Sequence, residues 1–190
     1  MLVFLDFEAS SLSKRSYPIE VGWVFEDGQA EAYLIRPAPD WTDWDEEAEA
    51  IHHIARERLL EEGTPHDVVA AHMVEALDGH NLLASAPSWD GKWLSALLRA
   101  AGLPRHRLRL RDSDDEMWNT ATSILQPVLP PDRLAATIGD ILAEVEARVR
   151  GSQPAHRALE DARAERAQWL AVHDAATRRV RDMGRTRRES

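Results

Sequence analysis

The 190 residues hold 23 Lys and Arg against 33 Asp and Glu, a formal net charge of −10, with 44% hydrophobic and 29% charged residues. That balance predicts one folded domain around a single core, and it argues against both a disordered chain and a broadly cationic surface that coats nucleic acid. With no cysteine in the sequence, disulfides and thiolate metal sites are excluded, which leaves carboxylates and histidines as the available ligands.

The chain opens on an apolar strand, Leu2 to Leu5, that ends in Asp6-Phe7-Glu8. No apolar run approaches the roughly 18 residues of a membrane span. Met1 to Phe4 lacks the basic flank of a signal peptide, so a cytoplasmic protein is expected. A polar loop, Ser10 to Pro18, leads to an apolar β-rich run from Ile19 to Phe25. Asp27-Gly28 then signals a hairpin before a third strand, Ala30 to Ile35. Pro37 and Pro39 stop the sheet, and a Trp-rich acidic stretch leads into a short helix around Ala48 to Ile54.

Thr64-Pro65 opens a helix carrying Val68, Val69, His72, Met73, Ala76 and Leu77 at helical spacing, and Gly79 ends it. Leu82 to Ala86 lacks alternation, as expected of a strand buried on both faces. Trp93, Leu94, Leu97, Leu98 and Ala101 mark the next helix, and alternating Arg and Leu from Arg107 to Arg111 predict an edge strand. Leu134, Ile138, Ile141, Leu142, Val145 and Val149 form a helical stripe between Pro130-Pro131-Asp132 and Gly151. A last helix is expected from about Ala155, with Ala158, Ala162, Trp169, Leu170 and His173 facing inward. Antiparallel strands followed by strands alternating with helices predict an α/β domain with a mixed sheet.

Charge is unevenly distributed along this framework. Between Asp40 and Glu62 nine acids meet only Arg56 and Arg58, whereas six arginines between Arg178 and Arg188 meet only Asp182. The basic C-terminal stretch is a candidate phosphate-contacting arm or, equally, a solvated helix end.

Three places concentrate residues suited to chemistry. Asp6 and Glu8, two apart on a strand, point to one side, an arrangement that fits a divalent cation as well as a solvated acidic turn. Asp90 follows the buried strand at the start of a helix, where an acid is also favourable with the helix dipole alone. His156 and Asp161 stand five residues apart near the start of the last helix. At about 100° per residue they would diverge by about 140°, so they share a site only if His156 lies at or before the first turn. There the positive helix end disfavours imidazolium, which suits a base working near neutral pH.

Asp6-Phe7-Glu8, Asp90 within Ser-Trp-Asp-Gly-Lys-Trp-Leu, and His156-Arg-Ala-Leu-Glu-Asp161 occur in the order of three exonuclease motifs. The chain thereby resembles the DEDDh (DnaQ-like) family of 3′→5′ exonucleases from residue 2 to about residue 173. The stretch Ala48 to Pro65 and the run Ile19-Glu20-Val21-Gly22 are similar to the corresponding parts of that family. The resemblance implies a ribonuclease H-like fold with a mixed five-stranded sheet, its first three strands antiparallel, flanked by helices. It divides the chain into an exonuclease domain, 1–175, and a basic tail, 176–190.

The resemblance further implies two Mg²⁺ or Mn²⁺ ions on Asp6, Glu8, Asp90 and Asp161, with His156 as general base. The implied reaction releases nucleoside 5′-monophosphates from the 3′ end of single-stranded RNA or DNA, and a homodimer is one assembly found among relatives. Phe7 departs from the Thr common between the first two acids. The resemblance implies that Ala9 and Ser10 approach the 3′-terminal nucleotide and that Phe7, as a substrate-binding residue, bears on substrate preference, and Trp89 is either a base-stacking residue or core. Of His52 and His53, one is expected to pack inward. A catalytically silent nucleic-acid-binding module of the same fold and a hydrolase of short oligonucleotides are the competing readings.

Overall fold

The computed structural model describes residues 1–149 and 155–186. They fall into two compact units, residues 1–112 with 155–164, and residues 113–149 with 165–186.

The first unit is built on a sheet. Strands β1 (Leu2–Ala9), β2 (Pro18–Phe25) and β3 (Ala30–Arg36) are the three apolar runs, paired antiparallel in sequence. The β2–β3 connection turns at Gly28, whose φ of 98° suits a residue without a Cβ, and the Asp27 carboxylate accepts the Gln29 N–H at 2.9 Å. Helices α1 (Glu46–His52) and α2 (Arg56–Glu62) precede a two-residue strand β4 (Thr64–Pro65), then α3 (His66–Leu77), β5 (Asn81–Ala84), α4 (Pro87–Ala100) and β6 (Leu110–Asp112).

Among the described residues the strands form one six-stranded sheet in the order β4-β3-β2-β1-β5-β6. The expected mixed α/β architecture is therefore present, with one strand more than anticipated. Thr64-Pro65 opens α3 as expected, with Pro65 at its N-cap, and in addition pairs in parallel with Ile35 and Arg36. Two residues of extended chain carry no periodicity from which a strand can be read.

Side-chain alternation sorts β1 into two faces. Val3, Leu5, Phe7 and Ala9 join Val21 and Trp23 of β2 in a core shared with Val69, Met73 and Leu77 of α3 and Trp93, Leu94 and Leu97 of α4. Asp6 and Glu8 consequently point to the opposite face. Across the ladder Asp6 pairs with Gly22 and Glu8 with Glu20, and the register shifts between Glu8 and Ala9.

The second unit is helical: α5 (Ser113–Leu125), α6 (Pro131–Val149) and the greater part of α7 (Ala158–Thr186). Its core joins Met117, Ala121 and Leu125 to Ile138, Ile141 and Val145 of the expected stripe, and to Val172, Ala175 and Ala176. His173, a possible inward position, is half-buried with its ring 6.0 Å from that of Trp169, while Val172 and Ala176 occupy the buried face. Arg178, Arg179, Arg181 and Arg185 lie on α7. The expected stop at Gly151 and residues Arg187 and Arg188 lie outside the described residues. Among the described residues no helix is long and apolar enough to cross a membrane.

Candidate metal centre

The sheet face bearing Asp6 and Glu8 receives the first turn of α7. Gly22 permits this approach, because a Cβ there would lie 2.3 Å from the Leu159 nitrogen and 2.6 Å from the Ala158 carbonyl carbon. Next to it on β2, Glu20 is almost wholly buried and accepts Arg157 Nη2 at 2.6 Å, Arg157 Nε at 3.1 Å and the Ala158 N–H at 3.0 Å. A buried carboxylate is tolerable in the middle of a strand only with such partners.

His156 stands two residues ahead of α7 with φ 52°, in the left-handed region. The turn is tied by Asp161, whose carboxylate accepts the N–H groups on either side of the histidine, Ala155 at 2.9 Å and Arg157 at 3.3 Å. Because His156 lies off the helix, the angular divergence of a regular helix does not apply. The candidate ligand atoms of Glu8, His156 and Asp161 all lie within 4.8 Å of one another.

Asp90, in the first turn of α4, is buried and accepts the Phe7 N–H on Oδ1 at 3.2 Å. It adds negative potential at Glu8. Asp6 is brought to the same sheet face by its register opposite Gly22. Burial first, then the charges of Asp161, Glu20 and Asp90, push the Glu8 carboxyl up to about 8, against the opposing pull of Arg157. Oxygen donors crowded until one of them retains its proton near neutrality fit a hard divalent cation, so the donor set suits the implied metal.

The expected substrate contacts divide sharply. Phe7 is 4% exposed and Ala9 8%, both on the core face of β1, and Ser10 is fully buried with its Oγ accepting the Tyr17 N–H at 3.1 Å. Their side chains present nothing at the surface, as strand alternation requires of Phe7, which must point opposite to Asp6 and Glu8. Trp89 is 39% exposed, lies against Trp93, and has the Lys92 ammonium 4.9 Å from its ring centroid. It lines an open hollow of about 480 Å³ with Leu12, Ser13, Lys14, Ser88 and Lys92.

His52 is the inward histidine, its Nδ1 accepting the Ile54 N–H at 3.1 Å, while His53 caps α1 with φ 56°. Burial lowers the His52 pKa, with Glu20 and His156 among the charges it senses. Glu20, Gly22 and Arg157 were not read as site residues from sequence. An acid inside the otherwise apolar run Ile19 to Phe25 was the signal that could have found Glu20.

No protein-family model and no curated protein sequence matches the chain. Solved structures do. E. coli Exonuclease I in complex with a dT13 oligonucleotide aligns with a TM-score of 0.64 at 17% identity, over 96% of this chain and 42% of that one. The same enzyme in complex with a dA16 oligonucleotide aligns with a TM-score of 0.65 at 17% identity, again over 96% and 42%. Exonuclease I from Methylocaldum szegediense aligns with a TM-score of 0.63 at 21% identity, over 89% of this chain and 40% of that one. The chain thus spans about two fifths of the length of these structures, and it shares with them an α/β fold of the ribonuclease H-like kind.

Proposed function

We propose that the chain is a metal-dependent 3′→5′ exonuclease acting on single-stranded nucleic acid, with nucleoside 5′-monophosphates as products. One observation carries this reading: Glu8 from the first strand and His156 and Asp161 from the start of the last helix converge within 4.8 Å on one sheet face. A silent binding module needs no such convergence of acids around a histidine. The fold is that of exonucleases crystallised with dT13 and dA16, which makes single-stranded DNA the first substrate to try.

Asp6, Glu8, Asp90 and Asp161 would hold two Mg²⁺ or Mn²⁺ ions. When bound, such ions stabilise the developing charge on the attacking and leaving oxygens of an in-line displacement. His156, held off the helix by its left-handed backbone and by the Asp161 bonds on either side, would accept the proton of the attacking water. Trp89 offers an exposed ring face for a base, and Lys92 and Lys14 around the same hollow offer charge to a phosphate. The net charge of −10 does not oppose this, because a short groove with local cations suffices for a few nucleotides.

The test uses purified protein with 3′- and 5′-labelled DNA and RNA oligomers in Mg²⁺, Mn²⁺ or EDTA. Stepwise shortening from the 3′ end that EDTA stops and Asp6→Ala removes is the expected result. Intact oligomers of every kind, with both metals present, would overturn the reading.

A further inference from the structure

The geometry points to Glu20 as the positioning residue of this site: a buried anion on β2 that fixes the turn bearing His156 and Asp161 to the sheet bearing Asp6 and Glu8. The inference rests on the proposed metal centre and extends it to a residue outside the donor set.

Glu20 stands directly opposite Glu8 in the β1–β2 ladder, with its side chain on the same face. Two glutamates in that position repel, and Glu20 contributes to the raised pKa of Glu8. An acid there is unfavourable for Glu8 and is unfavourable in a buried strand, so its partners must compensate. They all come from one place. Arg157 approaches with Nε and Nη2, and the Ala158 N–H, one of the unpaired donors at the start of α7, completes the set. Arg157 follows His156 directly, and its own N–H bonds Asp161. A single carboxylate therefore determines where the His156 turn sits, and through it where the Asp161 oxygens lie relative to Glu8.

Each contact limits a different freedom. The paired guanidinium bonds orient the Arg157 side chain in a plane, the Ala158 bond holds the helix end, and Gly22 next to it sets the depth of approach by backbone contact with Leu159. Arg157 is 44% exposed at its side chain while Glu20 is 4% exposed, so the anion is the fixed member and the cation closes over it. With Glu20 removed, Arg157 and the helix end lose their anchor while every donor atom of the centre remains in the chain.

The experiment compares wild type, Glu20→Ala and Glu20→Gln, the last keeping an oxygen for the Ala158 N–H while giving up the charge. Three readouts are taken: Mn²⁺ binding by calorimetry, amide exchange of the peptide covering residues 155–161, and kcat and KM on a labelled single strand. Expected for Glu20→Ala are a 10- to 100-fold loss in Mn²⁺ affinity and a similar loss in kcat, roughly the penalty for removing an outer-shell partner. KM should change little, and faster exchange should be confined to residues 155–161. Glu20→Gln should recover part of each loss. Unchanged Mn²⁺ affinity and exchange in a folded Glu20→Ala protein would overturn the inference. So would a uniform rise in exchange across the sheet, which marks a purely structural role. A wild type that binds Mn²⁺ and loses affinity through Glu20→Ala, yet cleaves no oligomer, would leave the positioning role standing and remove the exonuclease reading.

Discussion

Gly22 and Leu159 are in backbone contact: a Cβ on Gly22 would stand 2.3 Å from the Leu159 nitrogen. Gly22 pairs with Asp6 on the neighbouring strand, and Leu159 lies between His156 and Asp161. The close approach of strand and helix is thus the dimension that brings the acids of β1 to the start of α7. Gly22→Ala must push the turn away or bend the strand, at a cost of about 1–3 kcal/mol as for other overpacked cores. The expected outcome is a lower urea midpoint together with a loss of Mn²⁺ affinity. A variant that loses stability but keeps full affinity would show that the site tolerates the displacement.

Glu8 should give the centre a distinctive pH dependence. Its carboxyl is raised from 4.5 to about 8, so between those values the folded protein keeps a proton that the unfolded chain has released. Stability contributed at Glu8 is therefore greatest at low pH and is lost as pH rises towards 8. Urea unfolding in EDTA across this window should show a downward slope that Glu8→Gln flattens. Divalent cations must displace the same proton, so their apparent affinity should climb with pH over the same range. Parallel slopes for wild type and Glu8→Gln would show that the titration belongs elsewhere.

His156 and Asp161 are neighbours in space with different proposed roles, and substitution separates them. His156→Ala should lower turnover by roughly 10²- to 10⁴-fold, the usual worth of a general base, while leaving Mn²⁺ binding largely intact. Asp161→Ala should lose both activity and binding, and it also removes the bonds to Ala155 and Arg157 that shape the turn. Calorimetry beside single-turnover kinetics decides the matter. An equal loss of binding in His156→Ala would assign the imidazole as a ligand.

Trp89 is the exposed aromatic beside Asp90. Stacking on one base is worth about 1–3 kcal/mol, so Trp89→Ala should raise KM by roughly 5- to 150-fold. The rate at saturating oligomer should be nearly unchanged. Phe7→Leu, altering a residue on the core face of β1, should instead change stability and leave the choice of substrate alone. A shift in substrate preference from Phe7→Leu would contradict the orientation of β1.

Much of this architecture is legible along the chain because its signals are local. The apolar runs at Leu2, Ile19, Ala30 and Leu82 become β1, β2, β3 and β5, and the stripe from Leu134 to Val149 becomes α6. Helices α2 and α5 escape notice: α2 buries only Leu59, and the buried face of α5 follows the acidic run Asp114-Asp115-Glu116 and carries only Met117, Ala121 and Leu125 as apolar positions. The order Asp6, Glu8, Asp90, His156, Asp161 is equally plain in the sequence. The resemblance marks Phe7 for its departure from the family's Thr, and strand alternation turns its side chain to the core face, away from Asp6 and Glu8.

The sequence by itself determined strands β1, β2, β3 and β5, the principal helices and the residue types able to hold a divalent cation, since each depends on periodicity or on chemistry within a few positions. Only the tertiary structure decided that His156 and Asp161 join Glu8, that Glu20 faces Glu8 and takes Arg157, and that Gly22 admits the start of α7. Glu20 meets Glu8 across the β1–β2 pairing, and Glu20 and Gly22 meet the start of α7 across more than a hundred positions; both arise from sheet register and backbone contact, which leave no periodic trace in the chain.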